Sequence, residues 1–147
     1  MNKLDMFKEL VGVVSKASKD ESTKVGCVIV GPNWEVRSLG WNGFPRGIDD
    51  NVKDRQERPE KYFWMEHAER NAIYNAARMG TSLDGCHIIV DSCPCADCAR
   101  AIIQSGITHV TLCNETFKGT GNPSKWEEST ARSKQMFREA GVYVRNT

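Results

Sequence analysis

The chain carries His67-Ala68-Glu69 and, beyond one short apolar run, Pro94-Cys95-Ala96-Asp97-Cys98. Cys95 and Cys98 stand i and i+3, on one face of a helix, so both sulfurs can reach one ion. An imidazole to accompany them has to come from a second helix. The CxxC sits at the start of a helix just after a strand and His67 at the start of another, and helix N-termini are electropositive and suit thiolates.

The rest of the pattern supplies a sheet. Leu4, Phe7, Leu10, Val11, Val14 and Ala17 recur at helical spacing and predict an opening helix that SKDEST ends. VGCVIVG (25–31) and EVRSLGWNG (35–43), joined through Gly31-Pro32-Asn33, predict a hairpin. WMEHAERNAIYNAARMG (64–80) predicts a helix with a glycine stop, HIIV (87–90) a strand, CADCARAIIQSG (95–106) a second glycine-stopped helix and ITHVTLC (107–113) a buried strand. Ser124 with Glu127 forms a candidate capping box for a helix to Ala140, and GVYVR (141–145) closes as a strand. The order α-β-β-α-β-α-β-α-β predicts an α/β fold: a mixed sheet of about five strands, helices on both faces, the later strands parallel because each returns through a helix. No repeat, linker or low-complexity segment divides the 147 residues, so one domain over 1–147 is expected. Residues 43–61, polar and carrying Pro45, Gly47 and Pro59, are too long for a simple connection and form a candidate functional loop.

A hydrophobic share of 39% and a charged share of 27% give a globular core and argue against disorder. The net charge of +1 leaves polyanion binding to a local patch, and in 43–61 five basic residues face five acidic ones, so nucleic acid is not an expected partner. No window approaches the ~20 apolar residues of a membrane span. The charged start MNKLDMFKEL lacks a signal-peptide core, and a cytoplasmic location is expected. In a reducing cytosol the 6 cysteines are thiols, metal ligands or redox groups rather than disulfide staples.

One imidazole and two thiolates make an incomplete tetrahedron around Zn²⁺, the pattern of a catalytic site that keeps its fourth position for water. Glu69 lies two positions from His67, and such neighbours share a pocket only in a helix's irregular first turn. A carboxylate there could take a proton from water and pass it to a ring nitrogen or an amine leaving group, which is hydrolytic deamination. Three other readings stand beside it: a thioredoxin-like redox pair at Cys95 and Cys98, a closed zinc staple in which Glu69 is dispensable, and an editing deaminase acting on tRNA or single-stranded DNA, which the balanced charge disfavours. Cys27, Cys86 and Cys113, in or beside apolar strands, read as small buried hydrophobes, and Cys93, His87 and His109 as packing residues.

The pairing of H-x-E with P-C-x-x-C is the signature of zinc deaminases. HAERNAIYNAA, SCPCADCARAIIQSGI and GWNGFPRGIDD resemble the corresponding blocks of the deoxycytidylate (dCMP) deaminase family within the cytidine deaminase superfamily, over most of 20–145. The resemblance implies a three-layer α-β-α cytidine deaminase-like fold and conversion of dCMP and water to dUMP and ammonia, supplying thymidylate synthesis. It makes His67, Cys95 and Cys98 the zinc ligands and Glu69 the proton shuttle. The backbone of Ala68 would hold the pyrimidine carbonyl, and Asn42, otherwise a plain turn residue, would face the deoxyribose or phosphate. Lys24 and Lys118 are candidate phosphate contacts. Gly43, Arg46, Gly47 and Asp49 would form an effector loop for dCTP with Mg²⁺, with dTTP as inhibitor, in a homo-oligomer that the family makes a hexamer. Two departures stand out. Where the family commonly has a T-x-x-P-C pattern this chain has Asp91 and Ser92, which would put an acid near the pocket mouth to act on the phosphate or select a modified base. Phe117 stands where a tyrosine is common.

Overall fold

The apolar run Gly26–Val30 forms β1, and all five residues are buried, as in a central strand. β1 pairs antiparallel with β2 (Val36–Trp41) on one side and with β3 (His87–Val90) on the other. β4 (His109–Leu112) and β5 (Tyr143–Asn146) then add in parallel, giving the order β2-β1-β3-β4-β5. The computed structural model describes residues 1–114 and 122–147, so Phe117 and Lys118 lie outside the described residues.

Strand alternation divides the core in two. Cys27, Ile29, Ile88, Val90, Val110 and Leu112 pack against α3 (Ala68–Met79), α4 (Ala96–Gln104) and α5 (Pro123–Ala140). Val28, Val30 and Ile89 point the other way and are covered by Phe7, Val11 and Val14 of α1 (Lys3–Ser15). Each such side chain contributes about 1.5–3 kcal/mol on burial. The result is the expected α-β-α layering around a mixed five-stranded sheet.

The topology sends functional residues to one edge. α4 starts where β3 ends, and α5 follows the parallel β4, so both begin at the carboxyl edge of these strands. α3 runs antiparallel to β2: Asn71 Nδ2 donates to Trp41 O (2.8 Å), Ser38 Oγ to Ala72 O (2.7 Å) and Asn75 Nδ2 to Leu39 O (2.9 Å). Because β2 is parallel to β3 through β1, the start of α3 reaches that same edge.

The packing of α3 on β2 is close enough to require glycine. A Cβ on Gly40 would lie 2.4 Å from Ala72 N and 2.6 Å from Ala68 O, both helix backbone. Ala68, Ala72 and Ala76, all fully buried, give the helix the smooth face that this approach needs.

Two element boundaries differ from expectation. The helix predicted over 64–80 is two pieces, α2 (Lys61–Trp64) and α3, because Glu66 is drawn into a bridge with Gly43. Glu66 N donates to Gly43 O (2.8 Å) and Gly43 N to Glu66 O (3.0 Å), which clasps the ends of the polar loop. α5 is capped by Asn122, whose Oδ1 accepts from Ser124 N (2.9 Å), with Pro123 in its first turn, so Ser124 lies inside the helix rather than at its cap. Among the described residues no helix is long and apolar enough to cross a membrane.

Gly40→Ala is expected to destabilise the chain by about 1–3 kcal/mol through overpacking. Thermal denaturation should show it as a Tm lowered by about 2–4 °C per kcal/mol. A Tm equal to wild type would show that α3 can lift off β2 without cost.

Candidate active site

His67 is the N-cap of α3 and Glu69 its second helical residue; Cys95 is the N-cap of α4 and Cys98 its third. Both N-cap residues have extended backbones, φ −78° and ψ 154° at His67 and φ −68° and ψ 170° at Cys95. An extended N-cap side chain does not follow the helical sequence of directions. His67 and Glu69 can therefore face one cavity although they are two residues apart.

His67 Nδ1 lies 3.4 Å from Cys95 Sγ and 3.5 Å from Cys98 Sγ, and the three donor atoms all lie within 4.8 Å of one another. Tetrahedral zinc with ordinary Zn–N and Zn–S bonds separates nitrogen from sulfur by about 3.6 Å. The donors thus fit a single ion. Their charges point the same way: hydrogen bonds from Cys98 and His67 take the Cys95 thiol down to about 4, against the opposing effect of burial. Its hydrogen bond to Cys95 and its own burial push Cys98 well up. Two thiolates at this distance repel, and a divalent cation between them removes the penalty.

Two of the donors, His67 and Cys95, line a cavity of about 610 Å³ whose wall also includes Ala68, Glu69 and Ser92, with Cys98 buried behind them. Glu69 is only 5% exposed. Burial raises its carboxyl above the usual carboxylate range, although the His67 charge works against the shift. A carboxyl of that kind holds a proton longer than a solvated one and can both accept and return it. As the first residue of α3, Ala68 presents a backbone N–H with no acceptor inside the helix.

Residues 1–114 match the family model of the cytidine and deoxycytidylate deaminase zinc-binding region. The chain belongs to this family of zinc-dependent hydrolytic deaminases. It is 42% identical over 138 residues to an uncharacterized deaminase of the luxG 3′ region of Aliivibrio fischeri, spanning 94% of this chain and 88% of that protein. With the deoxycytidylate deaminase of Homo sapiens it shares 32% identity over 146 residues, 96% of this chain and 77% of the human one. The crystal structure of dCMP deaminase from the cyanophage S-TIM5 in complex with dCMP and dUMP superposes with a TM-score of 0.77 at 26% identity, over 98% of this chain and 96% of that one.

Of the other residues taken from the resemblance, only Asn42 lies on this wall among the described residues. Asn42 lines the cavity, but its amide is engaged within the chain: Oδ1 accepts from Val25 N (2.8 Å), and Nδ2 donates to Thr23 O (2.8 Å) and Asp20 Oδ2 (3.1 Å). From the cavity wall its side chain also holds the segment before β1 in place. Lys24 is exposed and off the cavity wall, its ammonium donating to Ser18 O at 2.6 Å. Asp91 is not at the cavity mouth either; it is buried, and its Oδ2 accepts from Gly26 N at 3.4 Å. Gly43, Arg46, Gly47 and Asp49 do not line this cavity. Gly43 bridges Glu66, Arg46 donates to Asn75 Oδ1 (2.6 Å), Gly47 takes a left-handed φ of 85°, and Asp49 Oδ1 accepts from Asn51 N (2.9 Å). Lys118 is outside the described residues.

The wall also contains residues that the sequence patterns passed over. Lys61 and Asp20, 5% and 3% exposed in their side chains, form an ion pair, Nζ to Oδ2 2.8 Å and to Oδ1 2.9 Å. Lys61 Nζ also donates to Ser22 Oγ (2.8 Å), while Asp20 accepts from the backbone N–H groups of Ser22 (2.8 Å) and Thr23 (3.1 Å). The pair ties the segment before β1, the end of β2 through Asn42, and the start of α2 into one wall. Burial works to raise the Asp20 carboxyl, but the Lys61 hydrogen bond and charge and the two backbone donors outweigh it and hold the group below the usual range.

Breaking this pair should be costly because it leaves a buried charge alone: Lys61→Met is expected to lose about 3–5 kcal/mol, and Asp20→Asn/Lys61→Met to recover part of that loss. A group with a lowered folded pKa stabilises above its unfolded value, about 3.9 for Asp, and loses that contribution as pH falls through the folded value. The stability gap between wild type and Asp20→Asn, measured by urea denaturation, should therefore be flat above about pH 5 and shrink below about pH 4. A gap that widens on acidification would contradict the assigned direction.

Proposed function

We propose that the chain is a dCMP deaminase, converting dCMP and water to dUMP and ammonia, with His67, Cys95 and Cys98 holding zinc and Glu69 moving the proton. The observation that carries this reading is the convergence of one imidazole and two sulfurs beside a buried carboxyl on a cavity wall. Its dCMP specificity draws on the likeness to the cyanophage enzyme and to the human deoxycytidylate deaminase.

Zinc bound at these donors would supply the Lewis acidity that makes water nucleophilic near neutral pH. Glu69 takes the proton from the attacking water and delivers it to pyrimidine N3 as oxygen adds to C4. The same carboxyl then takes the proton of the new C4 hydroxyl and carries it to the amino group, which leaves as ammonia as the C4 carbonyl forms. The Ala68 N–H, at the open start of α3, orients the ring through its C2 carbonyl. Burial supports the role of Glu69, since its raised proton affinity lets it retain the proton between the two transfers.

Glu69→Gln is expected to lower ammonia release from dCMP by roughly 10²–10⁴-fold. Zinc content, measured by elemental analysis, should stay near that of the wild-type chain. Full activity in this variant would return the site to a closed metal staple. The wild-type chain is expected to favour dCMP over deoxycytidine and cytosine, and equal turnover of the nucleoside would reject the nucleotide reading.

The loop of Gly43, Arg46, Gly47 and Asp49 stands apart from the substrate cavity, so an effector there could act without blocking it. In the regulated form of this function dCTP with Mg²⁺ raises the rate at low dCMP and dTTP lowers it. Initial rates that are flat across both titrations would remove the regulatory part and leave the catalytic part standing.

A further inference from the structure

We propose that Lys125, in the first turn of α5, is the cation that reads the 5′-phosphate of the substrate, with Arg58 assisting from a second wall. This rests on the reading of the substrate as a nucleoside monophosphate. Among the described residues, four lysine and arginine side chains line the cavity: Arg58, Lys61, Arg70 and Lys125. Two are committed to acids, Lys61 to Asp20 at 2.8 Å and Arg70 to Glu66, with Asp97 at 3.6 Å. Arg58 comes from the segment just before α2, its guanidinium 5.9 Å from the Tyr62 ring centroid. Lys125 is exposed and forms no ion pair among the described residues.

The position of Lys125 is fixed from its own helix. Ser129 Oγ accepts from Ala96 N at 2.8 Å, one residue past Cys95, so α5 is pinned to the first turn of α4 beside the metal donors. Lys125 is four residues before Ser129, on the same face, and both line the cavity. It is also the third residue of an 18-residue helix capped by Asn122, where the positive end of the backbone dipole adds to its charge. The reacting ring is held at His67, Ala68 and Glu69, which leaves the phosphate to the rest of the wall, where Lys125 meets no acid among the described residues. Of the two phosphate contacts expected from the sequence, Lys24 is bonded to Ser18 O and off the wall, and Lys118 lies outside the described residues.

The test uses the zinc-loaded full chain and compares kcat and KM for dCMP and deoxycytidine. Lys125→Gln should raise KM for dCMP about tenfold or more, the worth of a hydrogen bond to a charged group. It should leave kcat within about twofold and change deoxycytidine kinetics much less, so that the preference for the nucleotide collapses. Lys125→Arg should restore most of that preference, and Arg58→Gln should lower it to a smaller degree. Arg132→Gln, on the same helix but paired with Glu128 at 3.1 Å and off the cavity wall, is the control and should behave as wild type. A Lys125→Gln chain that keeps the wild-type preference overturns the proposal while the dCMP reading stands. A wild-type chain with no preference for dCMP overturns both.

Discussion

The His67 ring and the two sulfurs, 28 residues apart at their nearest, meet because α3 and α4 start at the same edge of the sheet. That coincidence follows from strand direction. β3 leads into α4 at its carboxyl end, and α3 runs antiparallel to β2, so its first residue arrives where β3 stops. The height of α3 above the sheet is then set by Gly40, whose missing side chain lets the backbone of Ala68 and Ala72 approach β2. The sheet thus fixes the separation of the donors to within what a metal tolerates. Packing far from the donors is in this sense part of the metal site.

The same edge is where three helices point their amino termini, those of α3, α4 and α5. Oriented N–H groups favour negative charge, and two thiolates and a buried carboxylate are what the chain places there. Burial raises the proton affinity of Glu69, and the His67 charge and local hydrogen bonds oppose that rise only in part. Nearby, Asp20 and Lys61 cancel each other in a pair with almost no exposure, which gives the wall rigidity without adding net charge. The cavity's ability to attract an anion is left to cations farther along the wall.

How much of this could be read in the sequence depended on range. His67, Glu69, Cys95 and Cys98 are local motifs, and the expectation that His67 and Glu69 meet only in an irregular first turn matches the extended N-cap of α3. Gly80 was legible because a left-handed C-cap, here φ 75°, favours glycine. Asp20 and Lys61 were not: they lie 41 residues apart in charged stretches that look solvated, and no periodicity links one ion to its partner. The break between α2 and α3 was hidden for a similar reason, since it comes from the bridge of Glu66 to Gly43 and not from a helix breaker. Asn42 was read as a turn or ligand residue, yet its amide satisfies Val25 N and Thr23 O, partners visible only after folding.

Asp91 shows how a departure from a family pattern can change meaning once folded. In sequence it stands four residues before Cys95 and suggests an acid facing the substrate. In the fold its carboxylate accepts from Gly26 N at the start of β1, and its carbonyl accepts from Asn114 N at 2.7 Å just past β4. It therefore joins three neighbouring strands at the edge that carries the site. Ser92, next in the chain, is the residue that reaches the cavity wall. Of the two residues that depart from the family pattern, Ser92 lines the cavity and Asp91 is buried in the joint between strands.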